Sequence, residues 1–341
     1  MNNLYIVVKE YNKSLSARQP WYTIKKIIFD FKVRGIRVDV VSDYSRIPVD
    51  FSGTVIKVFS FSDLFKRNRS NFKLIYLVTF PIYDSGKFFS IPFETIIENW
   101  PNLKRIFVFS LLPVFLKKFT LSKADIVLVI SDRSEKYLEK FISVQKYIPF
   151  IKDNWKGTHY RKQKSSSKTI GYFGPPFSTR SFDNVVSFFL WLNKEGFNYK
   201  QKIITRIERD ELKNIEKKYL SKIENNKNLK VVSGFLNRDL LAEELEEIDI
   251  LILPFKVVMS ELPIVVLEAL ELGIPVVTTT DCGIERISKE QKNILILKDF
   301  EKDKYNQVVD FIESVESDDF HQIQKSIDKI NKDTLSLICQ K

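Results

Sequence analysis

Apolar runs of four to six residues alternate along this chain with longer stretches in which apolar side chains recur every three or four positions. The runs at 4–8, 36–41, 55–59, 74–79, 105–109 and 126–130 predict strands covered on both faces, where side chains are apolar throughout rather than alternately. Residues 20–34 predict a helix: Ile24, Ile27, Ile28 and Phe31 share one face, and Gly35 ends it. Residues 93–99 and 134–141 predict two more. The alternation restarts after a gap. Strands are predicted at 169–173, 202–205, 229–232, 249–253, 274–278 and 294–297, with helices at 182–193, 211–219, 240–246 and 305–315. Strand–helix alternation of this kind predicts α/β domains with a parallel sheet between helix layers. The gap at 152–168 is polar, lacks a hydrophobic period and contains Ser165, Ser166 and Ser167, so it reads as a linker. Two domains follow, at 1–151 and 169–341.

The strongest local pattern lies at 259–280, MSELPIVVLEALELGIPVVTTT. Ser260 is placed to cap a helix, with Pro263 in its first turn, where a missing N–H is tolerated. Gly273 stops the helix and Pro275 prevents its return. On this reading Glu261 and Glu268, nearly two turns apart, share a face with their α-carbons about 10 Å apart along the axis. A helix N-terminus between two carboxylates suits a sugar, a diphosphate and a ribose. Spacing alone fits a solvated helix face better than a site.

Charge adds a second theme. Residues 1–150 carry 24 Lys and Arg against 13 Asp and Glu, whereas the rest of the chain balances 30 against 30. The whole excess of +11 therefore sits in the first half and predicts an anionic partner there. Residues 65–73 (FKRNRSNFK), 87–93 (KFFSIPF) and 109–119 (FSLLPVFLKKF) interleave aromatics with cations. Such a mixture suits an anionic membrane surface, with Lys117 and Lys118 at the headgroups, or single-stranded nucleic acid, or a buried core with an ordinary surface. Two cysteines, Cys282 and Cys339, make no disulfide framework and suggest a reducing compartment. The first residues, MNNLYIVVKEY, lack the pattern of a signal peptide, and no run of 18 apolar residues occurs. The expected location is cytoplasmic or peripheral at the inner face of the membrane. No metal-ligand cluster is seen.

SELPIVVLEALELGIPVVTT (260–279) resembles the signature of the retaining group 1, glycogen-synthase-like glycosyltransferases of the GT-B fold. GYFGPPFSTRSFDNVVSF (171–188) resembles the same family's first loop of the C-terminal domain, and VVSGFLNRDLLAEEL (231–245) its base-holding loop. The resemblance implies two Rossmann-like doubly wound domains facing a central cleft. It implies transfer of a sugar from a nucleotide diphosphate sugar, the co-substrate, to a glycan or lipid-linked acceptor, without metal or other cofactor. Glu268 would bind the ribose and Arg180 the diphosphate. Ser260, Glu261 and Leu262 would lie at the sugar end, with Ser260 in the place of the family's first acid and Glu261 one residue late. Backbone around Phe235 and Leu236, with Arg206, would hold the base. Glu261 and Arg180 are the residues expected to take part in catalysis.

The N-terminal half departs from the family pattern. Residues 9–19 hold no Gly-Gly turn, though Ser14 and Ser16 could donate hydrogen bonds there, and the two histidines, His159 and His321, suit no cleft role. A catalytically inactive GT-B-like binding protein is therefore the alternative expectation.

Overall fold

The structure is a computed structural model that describes residues 3–8, 21–60, 63, 71–83, 86, 89, 91–150, 167–205, 221, 226–234, 236–258, 261–289, 291–315 and 321–340. The predicted helix at 211–219, most of the linker, the segment at 64–70 and the serines at 14 and 16 lie outside the described residues. The chain forms two compact units. The first comprises Met1–Ile151, Met259–Leu262 and Gln324–Lys341; the second comprises Lys152–Val258 and Pro263–Ile323.

The first unit holds strands β1 (Asn3–Val7), β2 (Arg37–Val41), β3 (Thr54–Val58), β4 (Lys73–Leu77), β5 (Ile126–Val129) and β6 (Val144–Lys146) in the order β2-β1-β3-β4-β5-β6. Every pairing is parallel. Successive strand residues point to opposite faces, so Leu74 and Tyr76 enter one core while Ile75 and Leu77 enter the other. Helix α1 (Trp21–Val33) covers one face through Ile24, Ile27 and Phe31. The rest of the chain up to β6 supplies α2 (Phe93–Glu98), α3 (Trp100–Leu111), α4 (Val114–Leu121) and α5 (Asp132–Leu138). Phe109, Leu121 and Leu138 cover the opposite face.

The run at 105–109 is a correction: it is the middle of α3, not a strand. Leu103, Ile106, Phe109 and Ser110 are buried, a three-to-four-residue spacing that only a helix satisfies. Its β-branched and aromatic composition masked that period, and packing overrode propensity.

The second unit repeats the plan with β7 (Thr169–Phe173), β8 (Lys200–Thr205), β9 (Leu229–Ser233), β10 (Ile250–Leu253), β11 (Val276–Thr279) and β12 (Ile294–Leu297), ordered β12-β11-β10-β7-β8-β9. Its helices are α6 (Phe182–Lys194), α7 (Arg238–Glu246), α8 (Ile264–Glu271), α9 (Glu285–Ser288) and α10 (Tyr305–Ser314), followed by α11 (His321–Cys339). All pairings are again parallel. Strand order reverses between β7 and β10, so the loops leaving these neighbours diverge at one edge, the usual ligand position in such sheets.

From Gln324 onward α11 belongs to the first unit. Asn331 exchanges two hydrogen bonds of 2.8 Å with the backbone of Ile148, Thr334 donates to Lys146 O at 2.6 Å, and Leu335 and Ile338 join the core beside α1. The expected second domain at 169–341 thus has its last helix in the other unit. The periodic apolar positions Ile323, Ile327, Leu335 and Ile338 were the overlooked signal for it.

Candidate active site

The carboxyl edge of the second unit's sheet is built around Gly174. It follows β7 at φ +142°, a conformation that favours glycine. A Cβ there would stand 2.3 Å from Nη1 of Arg180, so the missing side chain makes room for the guanidinium to fold over the turn. The chain then passes through Pro175, Pro176 and Phe177 into a single 3-10 turn, Ser178–Arg180. Ser181 closes it in the left-handed region at φ 54°, 1% exposed, the one non-glycine residue with positive φ among those described. A buried non-glycine residue held there marks a segment that its surroundings over-determine. Tyr172 donates to Pro175 O at 2.6 Å, and burial raises its hydroxyl pKa well above the ordinary value, which keeps it a neutral donor.

The loop after β10 is tied to this turn. Lys256 N and Val257 N both donate to Thr179 O at 3.0 Å. Lys256 Nζ meets Asp183, in the first turn of α6, at 2.7 Å. The Arg180 guanidinium carbon lies 5.4 Å from the centre of the Phe255 ring, a cation–π distance. Lys256 and Phe255 were not singled out from the sequence; their place directly after a buried strand was the available signal.

Helix α8 leaves the same edge. Its N-cap is Pro263, whose own side chain makes no cap hydrogen bond. Glu268 is its fifth residue, half-buried, about 6 Å along the axis from Ile264. Gly273, at φ +69°, ends the helix as predicted. Leu236, half-buried, lies between Gly234 at φ +100° and Asn237, which caps α7 by accepting from Leu240 N at 2.9 Å. Ser260, Phe235 and Arg206 lie outside the described residues. Cys282 is buried.

The placement of Glu261 differs from the expected one. It is not on α8, which begins three residues later, and therefore shares no helix face with Glu268. Pro263 carries φ −71° and ψ 101°, extended backbone that starts the helix only after it. Glu261 belongs to the first unit and is fully buried there, as is Leu262. Its carboxylate accepts from the hydroxyls of Ser131 and Ser134, and Arg133 Nη2 stands 3.8 Å away. Arg133 in turn lies over the Tyr83 ring at 4.5 Å. Burial, the largest influence, pushes the Glu261 pKa up to about 7, against the opposing pull of Arg133 and the two hydroxyls. Among the described residues no group of three or more His, Cys, Asp or Glu could hold a metal ion.

Residues 193–331 match the family of Glycosyl transferases group 1. No curated protein matches the chain. Sucrose-phosphate synthase from Thermosynechococcus elongatus is similar in structure at a TM-score of 0.60 and 11% identity, over 98% of this chain and 99% of that one. A trehalose-6-phosphate structure from E. coli bound with UDP-2-fluoro glucose gives 0.62 at 10% identity, over 99% of each chain. WaaG, a glycosyltransferase involved in lipopolysaccharide biosynthesis, gives 0.54 at 13% identity, over 96% of this chain and 99% of that one. At such identities the likeness is one of fold: two Rossmann-like parallel-sheet units, the GT-B architecture. The chain thus has the GT-B fold, and its residues 193–331, which span α8 and the strands on either side of it, are similar to the group 1 glycosyl transferases.

Proposed function

We propose that the second unit binds a nucleoside diphosphate sugar at the β7/β10 edge and that the protein transfers its sugar, with retention and without a metal, to a glycan or lipid-linked acceptor. The observation that carries this reading is the coupling of Arg180 to the loop before α8: the arginine folds over Gly174 and packs on Phe255, on the loop that leads to the N-terminus of α8. Guanidinium and helix terminus together offer paired donors and positive charge for a diphosphate. Glu268 accepts the ribose hydroxyls, and backbone near Leu236 holds the base.

In the chemical step the acceptor oxygen bonds to the anomeric carbon as the carbon–oxygen bond to the diphosphate breaks, on the same face of the sugar. The acceptor proton passes to the departing phosphate oxygen, so the protein need supply no base. Arg180 stabilises the charge that develops on the leaving nucleotide. Both carboxylate oxygens of Glu261 are taken by serine hydroxyls. This assigns Glu261 to holding the chain that enters α8 and leaves the sugar end to residues near Ser260.

The test is thermal stability with UDP, GDP and ADP. One nucleotide is expected to stabilise the protein, by about 2.7 kcal/mol at a hundredfold excess over its dissociation constant. Glu268→Ala is expected to abolish the response, and EDTA to leave it unchanged. No response to any of the three, with Glu268→Ala indistinguishable from wild type, removes the reading. The shielding of Glu261 favours a second possibility, a protein that binds the nucleotide sugar without turning it over. Donor hydrolysis separates the two: turnover is expected, and binding without turnover establishes the second.

A further inference from the structure

The helices α2, α3 and α4 of the first unit carry a surface unlike the rest of the molecule. Of the 17 large apolar residues exposed among those described, ten fall between Phe89 and Phe119. On α3 the exposed residues Trp100, Lys104, Val108 and Leu111 lie within about 80° of one another, at about 100° per residue. The opposite side of that helix, Leu103, Ile106 and Phe109, is the one buried in the core. On α4 Val114, Phe115, Lys118 and Phe119 point outward, Phe115 being 69% and Phe119 62% exposed. On α2 Phe93 and Ile97, one turn apart, are 75% and 59% exposed. Helix α3 thus has two apolar sides, of which the core uses one, and α2 and α4 add further exposed apolar residues beside it in the chain.

Charge indicates what covers the other. Residues 93–124 hold five Lys and Arg against two acids, Glu94 and Glu98, both on α2. Lys104 and Lys118 stand among the exposed apolar residues, and Lys123 lies 5.1 Å from the Phe119 ring centre. Lys117 does not take the headgroup role expected of it. It is 1% exposed and turned inward, donating to Ser110 O at 3.0 Å and to the Tyr137 hydroxyl at 2.7 Å. Phe109 is likewise core. Monomers rarely expose apolar patches this extensive without a partner. Rings and branched aliphatics ringed by lysines match the boundary of a bilayer, where apolar groups enter the acyl region and cations meet anionic headgroups. No described helix is long and apolar enough to cross a membrane, so this would be docking on the surface.

We infer that the outward face of α2–α4 docks the protein on an anionic lipid bilayer. This goes beyond sugar transfer and does not depend on donor binding by the second unit.

The test is vesicle flotation of the full chain, with phosphatidylcholine alone and with about a third of it replaced by phosphatidylglycerol. Wild type is expected to float with the anionic vesicles and to be released by salt, which screens surface charge. Lys104→Gln with Lys118→Gln is expected to weaken partitioning about 25-fold, at about fivefold per cation. Phe115→Ser with Phe119→Ser is expected to abolish flotation at an unchanged melting temperature. Failure of wild type to float, equal flotation on neutral vesicles, or wild-type flotation of the phenylalanine variant each overturns the inference. So does a dimer, seen by light scattering, that the phenylalanine variant dissociates while no form floats, since the face then joins two copies of the chain. The thermal response to UDP, GDP and ADP measured in the same variants keeps the two proposals apart. Lost flotation with the response intact supports the docking face alone, and flotation without any nucleotide response supports docking while removing the donor site.

Discussion

Replacing Arg180 by alanine is expected to lower kcat/KM for donor turnover by about 10²–10³-fold, the usual effect of removing one group that stabilises developing negative charge. The guanidinium is held over Gly174 and against Phe255, so in the proposed reaction it would meet the departing diphosphate without reorganising. Losing its contact with the ring costs about 1 kcal/mol of stability or less, so the variant should fold. Arg180→Lys should recover only part of the rate, because an ammonium keeps the charge and loses the two-pronged hydrogen bonding. Initial rates of nucleotide release from the donor that the wild type turns over provide the measurement, with the thermal shift induced by the nucleotide that stabilises the wild type beside it. An Arg180→Ala protein with wild-type rate and wild-type shift would place the anion site elsewhere.

The second large effect concerns Glu261 and pH. Its carboxyl has an unfolded value near 4.5 and is pushed up to about 7 by burial in the folded protein. A group whose folded value is raised binds its proton more tightly when folded. The stability it contributes is complete below about pH 4.5 and is lost as pH rises through about 7. At 1.36 kcal/mol per unit the span is about 3 kcal/mol. Glutamine at this position cannot titrate. The melting temperature of Glu261→Gln relative to wild type should therefore climb between pH 4.5 and 7 and stay level on either side. A difference independent of pH across that window would show that the carboxyl does not titrate in place.

Much of the fold was legible because buried parallel strands write themselves as short apolar runs. Ile126 to Val129, Thr169 to Phe173 and Ile294 to Leu297 needed no tertiary information to be placed within a residue or two. The errors share a cause in long-range packing. The bulky, β-branched run around Ile106 and Val108 has strand composition, and only the core on one side and the open face on the other make it a helix. Lys117 reads as a surface cation until the Tyr137 hydroxyl and the Ser110 carbonyl draw it inward. For the candidate site, Arg180 and Glu268 could be named because the stretches that hold them, 171–188 and 260–279, resemble motifs of a known family. Glu261 was assigned to a helix face by counting residues. No local pattern could announce that Ser131 and Ser134, some 130 positions earlier, would claim its oxygens.

The route of the chain also fixes the order in which the protein can be completed during synthesis. Residues 1–151 emerge from the ribosome first, yet their unit still lacks Glu261 and all of α11 beyond Ile323. Until Glu261 is made, Arg133 waits for that carboxylate, and until Leu335 and Ile338 are made the sheet surface they cover stays bare. Nascent domains generally fold from the N-terminus onward; here the half encoded first is sealed last. A gene split at residue 151 would therefore yield an N-terminal product with an unfinished interior, dependent on chaperones or on the other polypeptide to close it.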